Sequence, residues 1–397
     1  MSASDSILFI SRQLAVPHHH GGCVYPHAIL RALRDRGSSV DYAWLARPLD
    51  GRRRPIIRDP LAGAGWRNTA VPHTINAGSL RLLWPPHRWL HAWTKPRDTE
   101  VERAPDAAEQ RWFAHLVAEL RPTRLIVDFA INLPVLDKVP ADLRGRMQVA
   151  VLTHNNVARR TKLYRHHQRA FDFIPLSADE ERRFLCRADI VVAIQDREAA
   201  EFRTMLHGPT VVTVPPPMIP WPLSRSGDGL VALFVGGYSG HNLAALDWLL
   251  RDIWPLVLAA IPAARLHVAG TVARAVPKGA SGVVPVGPHP DLRETYAAAS
   301  VVLAPLPLGT GLKLKVVEGM AAGRAVVTTP AGAEGFDELE NGSTAVVADS
   351  AQTFADSVVR LLRDPASRRQ IAARQLDWIS RRLNPEAALA PLFAAGF

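Results

Sequence analysis

Two series of short apolar segments rich in β-branched residues, each alternating with helical periodicity, constrain the fold of this chain most. The first series predicts strands at residues 7–10, 40–45, 125–129, 149–153, 190–194 and 211–214. The second predicts strands at residues 231–235, 265–269, 283–286, 301–304 and 325–328. Such runs, bounded by polar residues or proline, are typical of parallel strands buried on both faces. Each series therefore predicts a doubly wound α/β sheet.

A cluster of prolines separates the two series. Pro215, Pro216 and Pro217 are followed by Pro220 and Pro222. Proline lacks a backbone donor and has a fixed φ angle, so no regular element continues through this stretch. We therefore predict an N-terminal domain at 1–217, a linker at 218–228 and a C-terminal domain at 229–380, with the two sheets facing each other across a cleft.

Composition excludes several classes of protein. The chain has 397 residues, 48% of them hydrophobic, which is enough for two buried cores. It has no run of roughly 18 apolar residues and no apolar leader, and its two cysteines lie far apart. These features lead us to expect a soluble, cytoplasmic protein without a disulfide framework.

The formal net charge of +10 is concentrated at residues 52–54, 81–97 and 159–169. A basic bias of this kind attracts nucleic acid, an anionic membrane surface or a phosphorylated substrate. No helix-turn-helix, zinc-finger or RNP pattern is present, so nucleic acid is not the expected partner. A peripheral contact with an anionic membrane at the inner face remains open.

Residues 52–109 show no clear period and are rich in Pro, Trp and Arg. Trp84 and Trp89, with the surrounding arginines, suit a surface that is half apolar and half anionic, such as an acceptor or membrane patch. The alternative is an insertion that packs on its own domain.

A glycine-rich segment after the predicted strand at 301–304 carries the clearest chemical signal. It runs Gly309, Thr310, Gly311, Leu312, Lys313, Leu314, Lys315 and then enters a helix that contains Glu318. Backbone amides at a helix N-terminus form an anion site, and two lysines strengthen it. A diphosphate fits such a site, and Glu318, one to two turns into the helix, can accept hydrogen bonds from both ribose hydroxyls.

At these residues the sequence resembles the retaining GT-B glycosyltransferases of the group 1 kind, glycosyltransferase family 4. The resemblance covers about 160 residues and rests on the combination of short motifs rather than on any one. The motifs are Leu233-Phe234-Val235-Gly236, Trp254-Pro255, Ala269-Gly270, Val286-Gly287, Asp291-Leu292, Tyr296, Ala304-Pro305-Leu306 and the segment that ends at Glu318.

The resemblance implies two Rossmann-like domains and a terminal segment, residues 381–397, that returns to the N-terminal domain. It also implies transfer of a sugar, with retention and without a metal ion, from a UDP- or GDP-linked donor to a glycan, glycolipid or other glycoconjugate. In the front-face mechanism of such enzymes the leaving phosphate takes the proton of the acceptor. No cofactor other than the nucleotide-sugar is expected.

Two departures from the family concern the donor site. Glu318 matches the glutamate that binds the ribose, whereas Thr310 stands where the family has a glutamate that touches the donor sugar. The segment after the first strand of the C-terminal domain, which begins Gly236-Gly237, lacks the usual Arg and Lys. We expect Lys313 or Lys315 to supply that charge; the alternative is that both lysines are solvated.

Further donor contacts follow from the same resemblance. The nucleobase is expected beside Gly287, Pro288 and His289. Gly21 and Gly22 end the loop after the first strand, where small residues let the backbone approach the diphosphate or the acceptor, although glycine also serves any tight turn.

His154 follows the strand at 149–153, where the family has a histidine that faces the donor sugar; a structural role is the alternative. Asp128 approaches the acceptor or only ends its strand, and Glu334 contacts the donor or only begins the next element. The run His18-His19-His20 lacks a carboxylate at ligand spacing, so no metal site is expected.

Three rival functions are weighed against this one. A nucleotide-sugar epimerase needs carboxylate bases at the sugar ring, and the sequence shows no matching set. A nicotinamide dehydrogenase needs GxGxxG directly after the first strand, which is absent. A non-catalytic protein of the same fold, which binds a nucleotide or glycan without turnover, is favoured by Thr310 and the missing clamp residues.

Overall fold

The computed structural model describes residues 6–12, 21–45, 55–58, 68–70, 103–171, 173–221, 227, 229–289 and 291–397. In this part of the chain, the two predicted series form two separate sheets, one in each half. No helix among the described residues is long and apolar enough to cross a membrane.

The N-terminal sheet has six parallel strands and two antiparallel edge strands. Its order is β4-β3-β2-β1-β5-β6-β7-β8. Strands β1 and β5 are neighbours although β2 lies between them in sequence, so the chain reverses its winding there. The strands are β1 (Ser6–Ser11), β2 (Ser39–Trp44), β3 (Pro55–Arg58), β4 (Asn68–Ala70), β5 (Arg124–Asp128), β6 (Gln148–Thr153), β7 (Ile190–Ala193) and β8 (Thr210–Thr213).

Helices cover both faces of this sheet. They are α1 (Gly21–Asp35), α2 (Ala107–Leu120), α3 (Ala141–Arg144), α4 (Val157–His166), α5 (Ala178–Leu185) and α6 (Asp196–Met205), with a 3-10 helix at Ala130–Lys138. Helix α2 begins at a capping box of Asp106 and Glu109. Buried Glu109 also pairs with Arg12, so the predicted insertion at 52–109 ends inside a core helix. Its strands β3 and β4, which the sequence did not predict, extend the sheet beyond β2.

The C-terminal sheet has six parallel strands in the order β11-β10-β9-β12-β13-β14. Its winding reverses between β9 and β12, the arrangement of a Rossmann fold. The strands are β9 (Val231–Val235), β10 (Arg265–Ala269), β11 (Val283–Gly287), β12 (Val301–Ala304), β13 (Ala325–Thr328) and β14 (Val346–Val347). Strands β9, β12 and β13 are almost entirely buried, as their apolar sequences predict.

The helices of this half are α7 (Gly240–Trp248), α8 (Trp254–Ala260), α9 (Arg293–Ala297), α10 (Leu314–Ala321), α11 (Pro330–Ala333), α12 (Asp337–Glu340), α13 (Ala351–Arg363), α14 (Pro365–Arg382) and α15 (Pro385–Ala394). The sequence of residues 242–259 predicts one continuous helix, and this prediction is wrong, because a π-helical turn at Leu249–Ile253 separates α7 from α8. Pro255 has no N–H for the helical hydrogen bond, and the wider turn accommodates this loss.

The last helix lies against the first half of the chain. Helix α15 contacts β8 and α1, and its Leu389 and Leu392 are buried in a core that includes residues of both halves. The predicted α/β class, with two doubly wound sheets, is confirmed. The carboxyl ends of both sheets carry the loops that meet between the domains, and the candidate site lies there.

Candidate functional site

The loop after β9 holds its shape through backbone contacts at small residues. Gly236 accepts a hydrogen bond from Val272 N, and a Cβ at this position would lie 3.0 Å from the Asn242 side chain. A Cβ on Gly237 would have no described atom within 4 Å, so this glycine faces open space. Asn242 in α7 donates to Gly237 O at 3.0 Å. This loop therefore lies at the carboxyl end of β9 with open space in front of Gly237.

Lys315 lies partly buried against this loop. Its Nζ donates to Asn242 Oδ1 at 2.5 Å and lies 4.6 Å from the centre of the Phe234 ring. Burial lowers the pKa of Lys315 to about 7, although the charge of Glu318 partly offsets the effect. The alternative in which both lysines are solvated is thus wrong for Lys315, whose ammonium group lies where the family's clamp residues are missing.

Lys313 lies partly buried on the opposite side of the glycine-rich loop, towards the N-terminal domain. Its Nζ donates to Gly311 O, and a Cβ at Gly309 would lie 2.8 Å from its Cε. Burial lowers the pKa of Lys313 to about 8, while the charges of Glu334 and Glu198 act to raise it. Solvation is wrong for this lysine as well.

Glu318 lies in the second turn of α10, and Tyr296 Oη donates to its Oε2 at 2.9 Å. Burial raises the pKa of Glu318, and the Tyr296 hydrogen bond and the charge of Lys315 oppose the shift. The carboxylate retains Oε1 as an acceptor beyond the Tyr296 bond, which suits a ligand that offers hydroxyl groups.

The remaining predicted donor residues lie around the same loops. Gly287 ends β11 with φ +79°, a conformation that favours glycine, and Pro288 follows it. His289 Nδ1 donates to Asp291 O at 2.6 Å. Leu312 is buried, and Thr310 Oγ1 is buried with no hydrogen-bond partner among the described residues. Gly21 and Gly22 are the first two residues of α1.

The side chain of His154 is held by three other side chains at the carboxyl end of β6. Its Nε2 donates to Asp128 Oδ1 at 2.7 Å, and Asp128 Oδ2 accepts from Ser11 Oγ at 2.7 Å. The imidazole stacks on Phe129 with a centroid distance of 3.8 Å and meets Tyr25 edge-on. Because a carboxylate only accepts, Nε2 carries a proton, and Nδ1 of the neutral ring is an acceptor.

Phe129 adopts φ +64°, which is unusual for a residue with a side chain. Such strain costs about 1–3 kcal/mol and persists only where the surroundings impose it. Here Asn132 Nδ2 donates to Asp128 O at 2.6 Å and Phe129 N to Leu152 O at 3.0 Å. The strained residue supports the plane of His154, at the point where the winding of the sheet reverses.

The two domains touch across the cleft near this histidine. A Cβ at Gly311, which has φ +75°, would lie 2.8 Å from His154 O. Arg159 Nη2 donates to Glu334 Oε2 at 2.8 Å, and its Nη1 contacts Oε1. Burial alone would raise the pKa of Glu334, but the Arg159 hydrogen bonds and the charge of Lys313 lower it below its ordinary value.

His241 is buried among cations. Burial lowers the pKa of His241 to about 3, and the positive charges of Lys315, Arg160 and Lys313 add to the effect. Arg160 belongs to the N-terminal domain and stacks on Phe173 at 3.9 Å. Positive charges from both domains thus act on this imidazole, and such a field favours an anion nearby.

Several residues of this site were missed at the sequence level. Ser11, Phe129 and Arg159 had no predicted role, although each lies at or just beyond the carboxyl end of a predicted strand. That placement was the available signal. Trp84, Trp89 and the run His18-His19-His20, named in the sequence predictions, lie outside the described residues.

Structural comparison identifies the architecture. A sucrose-phosphate synthase from Thermosynechococcus elongatus superposes with a TM-score of 0.63, at 18% identity, over 98% of both chains. The Anabaena protein Alr3699/HepE in complex with UDP-glucose gives 0.60, at 13% identity, over 98% of this chain and 99% of that one. The chain has the GT-B fold.

The sequence comparisons cover less of the chain. Residues 229–364 match the family model described as Glycosyl transferases group 1, which supports a GT-B glycosyltransferase. An "Uncharacterized 44.6 kDa protein in cps region" of Klebsiella pneumoniae is 23% identical over 173 residues, 41% of this chain and 44% of that protein. S. aureus TarM superposes with a TM-score of 0.59, at 12% identity, over 72% of this chain and 58% of TarM. The chain thus spans little more than half of TarM, and the matched segment less than half of the Klebsiella relative.

Proposed function

We propose that this protein transfers a sugar from a UDP- or GDP-linked donor to a glycan, glycolipid or other glycoconjugate, with retention and without a metal ion. The observation that carries the proposal is the pair of partly buried ammonium groups at the start of α10, Lys313 at Gly311 O and Lys315 at Asn242 Oδ1. Burying a cation without a full counter-charge is unfavourable, and a diphosphate would offset the cost. The HepE structure holds UDP-glucose in the same fold, which supports this class of donor.

In this proposal the donor lies along the carboxyl edge of the C-terminal sheet. Lys315 and the amides of residues 311–313 bind the diphosphate, with Gly236, Gly237 and the start of α1 at Gly21 and Gly22 close to it. Glu318 binds the ribose hydroxyls through the oxygen that Tyr296 leaves available. The nucleobase lies beside Gly287, Pro288 and His289.

In the proposed transfer step, electrostatic stabilisation takes the place of a covalent glycosyl-enzyme intermediate. Both oxygens of Asp128 accept hydrogen bonds, from Ser11 and His154, so this carboxylate is not a free nucleophile. That supports front-face attack, in which the acceptor oxygen bonds to the anomeric carbon and its proton passes to the departing phosphate. His154 stabilises the cationic sugar through its carbonyl oxygen or Nδ1. Preorganised cations around the diphosphate would contribute about 10²–10³ in rate each.

We also propose that the enzyme contacts an anionic membrane while it serves a lipid-linked acceptor. Residues 157–171 contain five Lys or Arg and no Asp or Glu. Lys162, Arg165 and Arg169 lie on this segment, and the Phe171 ring beside them is 38% exposed. An apolar ring among cations suits a headgroup region. We call these four residues the α4 surface.

A nucleotide-binding protein without turnover is the second candidate. Thr310 favours it, because this residue leaves the donor-sugar position without the family's carboxylate and its buried hydroxyl has no hydrogen-bond partner in the described part of the chain. The experiment is to incubate the protein with a panel of UDP- and GDP-sugars and a panel of glycan and glycolipid acceptors, measuring binding by calorimetry, nucleotide release by a coupled assay and the anomeric configuration of the product by NMR. Release with a retained anomer supports the transferase. Binding without release supports the second candidate, and no binding contradicts both.

A further inference from the structure

The ion pair between Arg159 and Glu334 joins the two domains directly beside the proposed site. Arg159 lies in the first turn of α4, and Glu334 follows α11 in the C-terminal domain. Their side chains are 24% and 10% exposed, so solvent screens the pair only in part. A bidentate guanidinium–carboxylate contact fixes the relative orientation of the two side chains as well as the distance between them.

The N-terminal end of this contact has a rigid support. Glu181, itself buried, accepts hydrogen bonds from Val157 N at 2.9 Å and Ala158 N at 2.7 Å. Asn156 Oδ1 accepts from Arg159 N at 2.9 Å. All three amides at the start of α4 are therefore held, and Arg159 projects from a fixed helix end just beyond His154.

The C-terminal end is held by a close approach of backbone. Gly335 has φ +138°, and a Cβ there would lie 2.3 Å from Gln195 Oε1. Gln195 follows β7 in the N-terminal domain, so this contact also crosses the cleft. Only glycine permits the backbone at position 335 to lie so near Gln195. This close approach places the neighbouring residue, Glu334, beside Arg159.

The pair lies beside the groups that the proposed reaction uses. The negative charge of Glu334 is the main influence that raises the pKa of Lys313 against burial, followed by that of Glu198. Arg159 is five residues from His154, whose carbonyl oxygen meets Gly311. A shift of the domains would thus move the histidine relative to the glycine-rich loop.

We infer that Arg159 and Glu334 are positioning residues that hold the cleft closed for transfer. Glu334 then acts through Arg159 instead of binding the donor. The inference rests on the proposed function for its effect on rate, but its effect on the distance between domains is independent of activity. Because misplacement of reacting groups by about 1 Å costs up to about 10²-fold in rate, opening the cleft should reduce turnover more than nucleotide binding.

The test is a double-mutant cycle of Glu334→Gln, Arg159→Gln and the combined variant, with UDP affinity and kcat measured for each. Each single variant should lose at least about tenfold in kcat while the affinity for UDP stays within about twofold. Arg159 also pairs with Glu201 at 3.4 Å and Glu334 with Arg197 at 3.9 Å, but the Arg159–Glu334 contact is the one that both single variants break. The combined variant should therefore be no slower than the slower single one. Arg159→Lys, which keeps the charge but not the two-pronged contact, should fall between wild type and Arg159→Gln.

A matched control is available in a second ion pair between the domains. Arg382 Nη2 lies 2.7 Å from Asp196 Oδ2, with side chains 41% and 52% exposed. Arg382→Gln should leave kcat near wild type, because an exposed pair contributes little.

The distance between the domains is measured by double electron–electron resonance. Spin labels are attached at Glu119→Cys and Asp356→Cys, both exposed positions, in a chain with Cys23 and Cys186 replaced. The distance distribution should broaden in Glu334→Gln and Arg159→Gln but not in Arg382→Gln. Single variants with unchanged distances, or a combined variant that loses the product of both single effects, would overturn the inference. A wild-type protein that binds no nucleotide would instead contradict the proposed function, and the distances would still decide the inference.

Discussion

Glu318 provides the most direct residue-level test of nucleotide binding. The Glu318→Gln change preserves shape and the contact with Tyr296 but removes the negative charge that ribose hydroxyls would bind. A charge-assisted hydrogen bond contributes about 1.5–3 kcal/mol, so the affinity for UDP should fall about 10- to 100-fold. Thermal shifts with saturating UDP measure this, since ligand at about 100 times Kd adds about 2.7 kcal/mol. The exposed Glu386→Gln serves as the control, and equal shifts for both variants would contradict the role.

The lowered pKa of Lys315 predicts that the affinity for the donor depends on pH. Its pKa of about 7 lies far below the ordinary value of a lysine, because burial outweighs the charge of Glu318. Lys313 opposes protonation of Lys315, whereas Asn242 and the Phe234 ring face the ammonium group without charge. Binding of a diphosphate favours the protonated amine, so donor affinity should be fully present below pH 7 and weaken as the pH rises through it.

Calorimetry with UDP-glucose between pH 6 and 9 measures this dependence, because its diphosphate does not titrate in that range. In Lys315→Met the affinity should be weaker at pH 6 and nearly flat up to about pH 7.5, leaving only the part due to Lys313, whose pKa is about 8. If the affinity of the wild type for UDP-glucose does not change with pH, another group binds the diphosphate. The same conclusion follows if the affinity of Lys315→Met falls with pH as steeply as that of the wild type.

At the scale of elements, we predict that the α4 surface binds anionic membranes. Each Lys or Arg near an anionic bilayer contributes about 1 kcal/mol, so replacing Lys162, Arg165 and Arg169 by Gln should weaken partitioning about 100-fold. Sedimentation with vesicles of phosphatidylcholine containing phosphatidylglycerol measures it. The control replaces Arg251, Arg293 and Arg381, which are exposed and paired with aspartates, and so removes the same net charge elsewhere. Equal loss in both triple variants would mean that only net charge matters.

The helices and strands show which structural features a sequence pattern can predict and which it cannot. Strands such as β9 and β12 were predicted to within a residue because their apolar runs are short and bounded. Helix α2 was not predicted, although Asp106 and Glu109 form a capping box, because the irregular insertion predicted at 52–109 included the start of this helix. The break between α7 and α8 was missed because Pro255 permits both a helix start and a kinked continuation, and only packing decides between them.

At the scale of the whole molecule, α15 links the last part of the chain to the first domain. Leu392 is fully buried between α15 and the N-terminal core. Leu392→Ala should therefore lower the free energy of unfolding by about 2–5 kcal/mol, since it leaves a cavity. Denaturant unfolding measures the change, with Leu256→Ala on the partly exposed face of α8 as the control. A loss below about 1 kcal/mol would indicate that α15 docks weakly.

The sequence by itself determined the strands of the two sheets and the glycine-rich loop with Lys313, Lys315 and Glu318. These are local properties, since periodicity, turn residues and helix starts act over a few neighbouring positions. It also predicted His154 through its place at a strand end, but not the group that orients it.

Only the tertiary structure decided which side chains meet. Asp128 lies 26 positions from His154, and Glu334 lies 175 positions from Arg159, yet each pair is in direct contact. It likewise separated the two lysines, turning Lys315 towards Asn242 and Lys313 towards the N-terminal domain. Contacts over such separations depend on how whole sheets and domains pack, and no short segment of the chain encodes that packing.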